Sequence, residues 1–171
     1  MDWKSIYKQR CVSADEAVKV IKSGDRVILG HACGEPQLLT EAMVKRKDSL
    51  ENVEVVHMVA MGKAEYAQPG MEPHFRHNAL FVGATTRAAV NEGRADYTPC
   101  FFYEIPRLFE KELPIDVALV QVSPPDEHGY CSFGISVDYT KPAAQAAKIV
   151  IAEVNDQMPR THGDSFLHVS D

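Results

Sequence analysis

Short β-branched apolar runs recur along this chain, each followed by a stretch with a helical stripe, and that alternation restricts the fold more than any other feature. Ile115-Asp116-Val117-Ala118-Leu119-Val120-Gln121-Val122 is the clearest run, and near-continuous apolar character over so few residues suits a strand buried on both faces. Arg26–Gly30, Val53–Val59, Asn78–Gly83 and Lys148–Val154 read as further strands. Between them, Ser13-Ala14-Asp15-Glu16 has the form of a capping box, opening a helix that Gly24 ends. Pro36 suits the first turn of a helix whose stripe is Leu38, Leu39, Ala42, Met43 and Leu50. Thr85–Gly93, Ile105–Leu113 and Pro142–Ala147 predict three more helices, while Met158–Asp171 carries few signals of either kind. Strands joined through helices require right-handed crossovers, so the expected fold class is α/β: an open, mainly parallel sheet with helices on both faces.

Length and composition narrow the class further. The 171 residues suit one domain spanning 1–171. No apolar run approaches the roughly 18 to 20 residues a membrane-spanning helix needs, so no membrane role is expected. The opening Met1-Asp2-Trp3-Lys4-Ser5-Ile6 lacks an apolar secretion segment, which makes a cytoplasmic location the expectation. Cys11, Cys33, Cys100 and Cys131 lie far apart and read as reduced thiols rather than a disulfide framework. A net charge of -6 opposes general nucleic-acid binding, which relies on clustered Lys and Arg.

In a parallel sheet, sites form outside the carboxyl ends of the strands, which draws attention to two loops. Gly30-His31-Ala32-Cys33-Gly34-Glu35-Pro36-Gln37 joins a strand to a helix; its glycines let backbone approach a ligand, and the helix N-terminus offers free amides to an anion. A plain strand-to-helix turn would have the same composition. Ser123-Pro124-Pro125-Asp126-Glu127-His128-Gly129-Tyr130-Cys131-Ser132-Phe133-Gly134 is a second, stiffened loop that can shape a pocket, although Asp126 in it can equally cap a turn. The Gly62–Phe75 connection is a third candidate by its length. For a metal, His128 with Cys131 and His31 with Cys33 give pairs without a complementary second pair, so none is expected. The other histidines, His57, His74, His77, His162 and His168, are scattered, and no histidine is nominated as a base. Glu35, Glu65, Glu92, Glu104 and Glu153 are the carboxylates weighed as covalent nucleophiles, and nothing in the sequence singles one out.

Many blocks, in order, resemble the acetyl-CoA hydrolase/transferase family, and within it the 4-hydroxybutyrate and butyrate-acetate CoA-transferase group. They include Asp2-Trp3-Lys4 with Tyr7, Ser13–Val18, Ser23–Val27, Glu35-Pro36, Glu41–Val44, Val55–Val59, Thr85-Thr86-Arg87, Glu92-Gly93 and Phe101-Phe102. Val122–Asp126, Gly134–Thr140, Ala147–Val150, Gly163–Phe166 and His168–Ser170 carry the likeness to the end.

The resemblance implies an N-terminal CoA-transferase domain of the NagB-RpiA-like kind, facing a second domain across the active site. In such enzymes a glutamate of the second domain attacks acyl-CoA to give an acyl anhydride and then a glutamyl-CoA thioester. That glutamate has no counterpart here, so no catalytic residue is expected in this chain. The domain would instead form one wall of a cleft for acyl-CoA and a short carboxylate, with Gly34, Glu35, Pro36, Gln37, Met61, Arg87, Ser123, Pro124, Asp126, Gly129, Ser132 and Gly134 as its lining. Coenzyme A is the implied cofactor, as a substrate, and the partners are the C-terminal half and further copies in a homo-oligomer. Two other readings remain beside this one: a non-catalytic binding or interaction module on an α/β scaffold, and a sugar-phosphate isomerase, whose phosphate loops are absent.

Overall fold

The computed structural model describes residues 2–171. Six strands, β1 (Arg26–Leu29), β2 (Val53–His57), β3 (Phe75–Ala79), β4 (Ala95–Tyr97), β5 (Val117–Val122) and β7 (Ile149–Val154), form one sheet in the order β4-β3-β2-β1-β5-β7. Every pairing in it is parallel, with Val27 opposite Val55 on one side and Val117 on the other. The helices are α1 (Trp3–Arg10), α2 (Ala14–Ala17), α3 (Gln37–Lys45), α4 (Arg87–Asn91), α5 (Ile105–Lys111) and α6 (Thr140–Ala146). A separate antiparallel pair, β6 (Tyr130–Ser132) with β8 (Phe166–His168), lies beyond the sheet.

Alternation along the strands divides the core in two. Val27, Leu29, Val55, Val117 and Leu119 pack with residues of α2, α3 and α4, whereas Ile28, Val56, Ala118, Val120 and Val122 pack with α5 and α6. Helices therefore cover both faces, and the two-sided burial is why these strands read as continuous apolar runs.

Several element limits differ from the expectation. Ser13 Oγ accepts the Glu16 amide at 3.3 Å, but Glu16 pairs with Lys19 instead of completing the box, and α2 gives way at Val18 to a 3-10 turn. The helix expected to reach Leu50 ends at Lys45, and Leu38 of its stripe is exposed. β3 begins at Phe75 and stops at Ala79, because its polar residues are bonded across the sheet: Asn78 to Glu54, Arg76 to Asp96, and His77 Nδ1 to the Val55 carbonyl. α1, β4, β6 and β8 had no clear signal. α1 fastens the β6–β8 lobe, with Trp3 Nε1 donating to the Glu127 carbonyl at 3.1 Å and Arg10 to that of Val169 at 2.9 Å. No helix among the described residues is long and apolar enough to cross a membrane.

One buried histidine ties β2 to the end of β1. His57 is fully buried, and because the Gly30 carbonyl can only accept, Nε2 carries the proton toward it at 3.1 Å while Nδ1 accepts from the Tyr66 hydroxyl at 2.8 Å. Burial, with His77 nearby, lowers the His57 pKa from 6.5 to about 3. The unfolded chain therefore binds a proton near pH 6.5 that the folded chain refuses, so the stability from His57 is complete above that pH and is lost as pH falls toward 3. Urea unfolding should show a loss of about 2 kcal/mol between pH 6.5 and 5. A His57→Gln variant should be less stable at neutral pH but lose less over that interval, and equal slopes would contradict the assignment.

Candidate functional site

The strand order places the candidate site. From β1 the chain builds outward through β2, β3 and β4 on one side, then returns to add β5 and β7 on the other, so exit loops diverge at the β1–β5 boundary. Backbone contacts there are tight: a Cβ on Gly30 would stand 2.8 Å from the Gly34 carbonyl oxygen, and one on Gly34 would stand 2.5 Å from Ser136 Cβ. Ala32, between them, sits in the left-handed region at φ 49°.

Glu35 leaves this turn and is only 2% exposed. Its Oε2 accepts the amides of Met61 and Gly62, in the loop after β2, at 2.9 and 2.8 Å. Burial raises its pKa, and the two amides oppose that rise. Pro36 is buried at the head of α3, and Gln37, its first residue, is exposed. The helix N-terminus does not offer the free amides expected of it. Glu153 of β7 occupies them, its Oε2 accepting from Leu38 at 3.0 Å and Leu39 at 3.2 Å. Glu153 is also pushed up by burial, against the pull of those amides. Of the five carboxylates weighed as nucleophiles, Glu35 alone is buried and Glu153 is half-buried, and each of these two already holds a pair of amides.

A second constellation lies beside Gly34. His31 Nδ1 is 3.2 Å from Asp138 Oδ2, and the imidazole packs against Tyr139 and Phe102 with ring centroids 5.3 and 5.6 Å away. Burial works against charge on Asp138, but hydrogen bonds from His31, Ser136 and the Thr140 amide outweigh it and hold the carboxyl below its usual range. An ionised Asp138 requires the Nδ1 proton on His31, and Nε2 has no protein partner among the described residues. Such a histidine can accept from a hydroxyl in its neutral form or donate to an anion when protonated. Sequence reasoning missed it, since the two residues are far apart in the chain and each is unremarkable alone.

The Ser123–Gly134 segment is built into the β6–β8 lobe. Ser123 Oγ accepts the Ser132 amide at 2.9 Å; Ser132 Oγ bonds Thr161; and Gly134 at φ 63° lies against Met158. Asp126 caps its turn by accepting the Tyr130 and His128 amides and pairs with Arg160 at 2.6 Å; the Tyr130 amide first, then the His128 amide and Arg160, keep its carboxyl low. Gly129, at φ 90°, has no room for a Cβ beside His168. Pro124 is exposed, and Arg87 is exposed at the start of α4. The structure thus gathers Gly34, Glu35, Pro36 and Met61 around the β1 and β2 exits, and adds His31, Ser136 and Asp138. All four cysteines are free thiols. No three His, Cys, Asp or Glu residues converge in a metal-ligating group among the described residues.

The family model for the acetyl-CoA hydrolase/transferase N-terminal domain matches residues 1–171. The chain belongs to that family. It is 66% identical over 172 residues to the 4-hydroxybutyrate coenzyme A transferase of Clostridium kluyveri, covering 100% of this chain and 40% of that protein. The crystal structure of RipA from Yersinia pestis superposes with a TM-score of 0.94 at 30% identity, covering 99% of this chain and 42% of that one. The 4-hydroxybutyrate CoA-transferase of Porphyromonas gingivalis superposes at 0.82 with 42% identity, covering 99% and 39%. The chain therefore spans about two-fifths of the length of these family members.

The close backbone approach at Gly34 is open to test. Gly34→Ala should cost about 1–3 kcal/mol in urea unfolding, because Ser136 must move. Gly83→Ala, where an added Cβ meets nothing within 4 Å, should change stability by less than about 0.5 kcal/mol.

Proposed function

We propose that this domain is the N-terminal half of a cytoplasmic CoA-transferase that moves coenzyme A between a short acyl-CoA and a carboxylate such as 4-hydroxybutyrate, butyrate or acetate. The observation that carries this reading is the match along the whole domain to a 4-hydroxybutyrate coenzyme A transferase. The nucleophile is a glutamate of the second domain. Its carboxylate attacks the thioester carbonyl and expels CoA thiolate, leaving a mixed anhydride; the thiolate then attacks the glutamyl carbonyl and releases the first acid. The incoming acid reverses both steps, so the thioester bond energy is conserved.

In this reading the present half supplies the acyl wall. His31, held by Asp138, bonds the substrate carboxylate or hydroxyl; Gly34 keeps the turn close to Ser136; and Met61 lies along the acyl chain. Arg87, Pro124 and the Ser123–Gly134 lobe stand farther out and act on the cleft margin. Phe81, Phe101 and Tyr103 are large, exposed and follow the carboxyl ends of β3 and β4, and Leu38 of α3 and Ile135 after β6 are exposed as well. They are the surface on which the second half rests, and the complete enzyme associates with further copies as a homo-oligomer.

The test is CoA transfer from butyryl-CoA or 4-hydroxybutyryl-CoA to acetate, measured with this domain alone and with the polypeptide extended to the relatives' length. Activity in the extended protein alone is the expected result, and activity in neither would reject the reading. In the active form, His31→Ala should lower kcat/KM about 10- to 100-fold, the loss of a hydrogen bond to a charged group. Asp138→Asn should cost less, since the imidazole itself remains and an amide oxygen can keep part of the acceptor role toward His31, Ser136 and Thr140.

A further inference from the structure

The turn that presents Met61 has no regular structure of its own and is held entirely by neighbouring loops. Ala32 donates its amide to the Val59 carbonyl at 3.1 Å, and Thr85 Oγ1 donates to that of Ala60 at 2.8 Å. The next two amides, of Met61 and Gly62, converge on one oxygen of Glu35. Gly62 lies so close that a Cβ there would stand 2.7 Å from Glu35 Oε1. Glu35 is itself gripped from the far side, its carbonyl accepting Gln121 Nε2 of β5 at 3.1 Å and its amide donating to Ala32 at 3.1 Å.

A strand-to-helix turn does not need a carboxylate at this position, and burying one costs several kcal/mol unless it is well bonded. An apolar side chain would fill the space at less cost. What the carboxylate does that an apolar group cannot is fix two consecutive amides on one point, and so fix the backbone that carries Met61. The Met61 side chain is 59% exposed while its main chain is pinned, a combination that aims a flexible thioether outward from a rigid base at the carboxyl edge of the sheet.

We propose that Glu35 is a positioning residue that sets acyl-chain selectivity, by clamping the Met61–Gly62 turn so that Met61 closes the far end of the acyl pocket. The proposal rests on the CoA-transferase reading and deepens it. Releasing the clamp lets the Met61 turn swing away and admits longer acyl groups.

The experiment uses the full-length enzyme and compares kcat/KM for acetyl-, butyryl- and hexanoyl-CoA. Glu35→Ala should raise the hexanoyl-to-acetyl ratio about tenfold, chiefly through KM for the longer substrate. Met61→Ala should shift the ratio in the same direction, and the double variant should shift it no further than either single change, because both act through one element. Glu35→Gln, which keeps an acceptor in place, should restore most of the original ratio. Gly62→Ala gives an independent route if Glu35→Ala folds poorly, since its Cβ pushes the turn off an unaltered Glu35. Amide exchange at Met61 and Gly62 should be slow in the unaltered enzyme and fast in Glu35→Ala. A uniform loss across all three substrates, or additive effects of Glu35→Ala and Met61→Ala, would overturn the selectivity role while leaving the transferase reading intact. Absence of transfer by the unaltered enzyme would overturn both.

Discussion

Every strand of the main sheet points the same way, and most of what the molecule does follows from that constraint. A parallel strand delivers its chain to the same edge as its neighbours, so the exits of β1, β2, β3 and β5 collect along one rim. The central strands β1, β2 and β5 are covered on both faces, and their interiors have little room for unpaired polar groups. Where polar side chains do enter, they are nearly all bonded: His57 spans from Tyr66 to the Gly30 carbonyl, and Asn78 reaches Glu54 and Thr98. His77 Nε2 and Thr86 Oγ1 are buried without a partner among the described residues. Chemistry is thereby confined to the rim, and the Gly30 amide bonded to the Leu119 carbonyl marks where β1 stops being sheet and starts being site.

How far the fold was legible depends on what each strand buries. β5 and β1 were plain because their side chains meet helices on both faces, which leaves a run of Val, Ile and Leu in the sequence. β3 was misplaced, by three residues at its start and four at its end, because Phe75-Arg76-His77-Asn78, four of its five residues, satisfies polar groups across the ladder and shows no apolar period. β6 and β8 were hidden for a different reason. Each is three residues long, and Asp126, Arg160, Ser132 and Thr161 hold their lobe together with only a few apolar contacts to the core, through Cys131, Phe133 and Leu167.

The site divides in the same manner. Loop composition was enough to find Gly34, Glu35 and Pro36, since a glycine against Ser136 and a proline at a helix head leave marks in the sequence. The His31–Asp138 pair left none: it joins the exit of β1 to the start of α6, and only the fold brings them together. Glu35 was noticed as a loop acid, but its partners are backbone amides, which any residue except proline supplies, so no residue pattern announces the clamp. Asp126 shows the converse, a conspicuous loop acid whose bonding is spent on its own turn and on Arg160.

Glu35 and Glu153 then settle what this half can do with an anion. Each accepts two successive amides, one pair in the turn after β2 and the other at the head of α3, and Gln121 lies between them, donating to the Glu35 carbonyl at 3.1 Å and approaching Glu153 at 3.4 Å. A strand-to-helix junction in a parallel sheet ordinarily leaves such amides for a phosphate or carboxylate ligand. Here the protein's own carboxylates fill both positions, and a ligand would have to displace the buried Glu35 or the half-buried Glu153 to use them. The amides serve rigidity instead. A free polar group does remain on His31, whose Nε2 alone in the His31–Asp138–Ser136 cluster has no bond among the described residues. Under the proposed transferase function, recognition of a charged substrate therefore falls to side chains and to the second domain, not to the amides of this one.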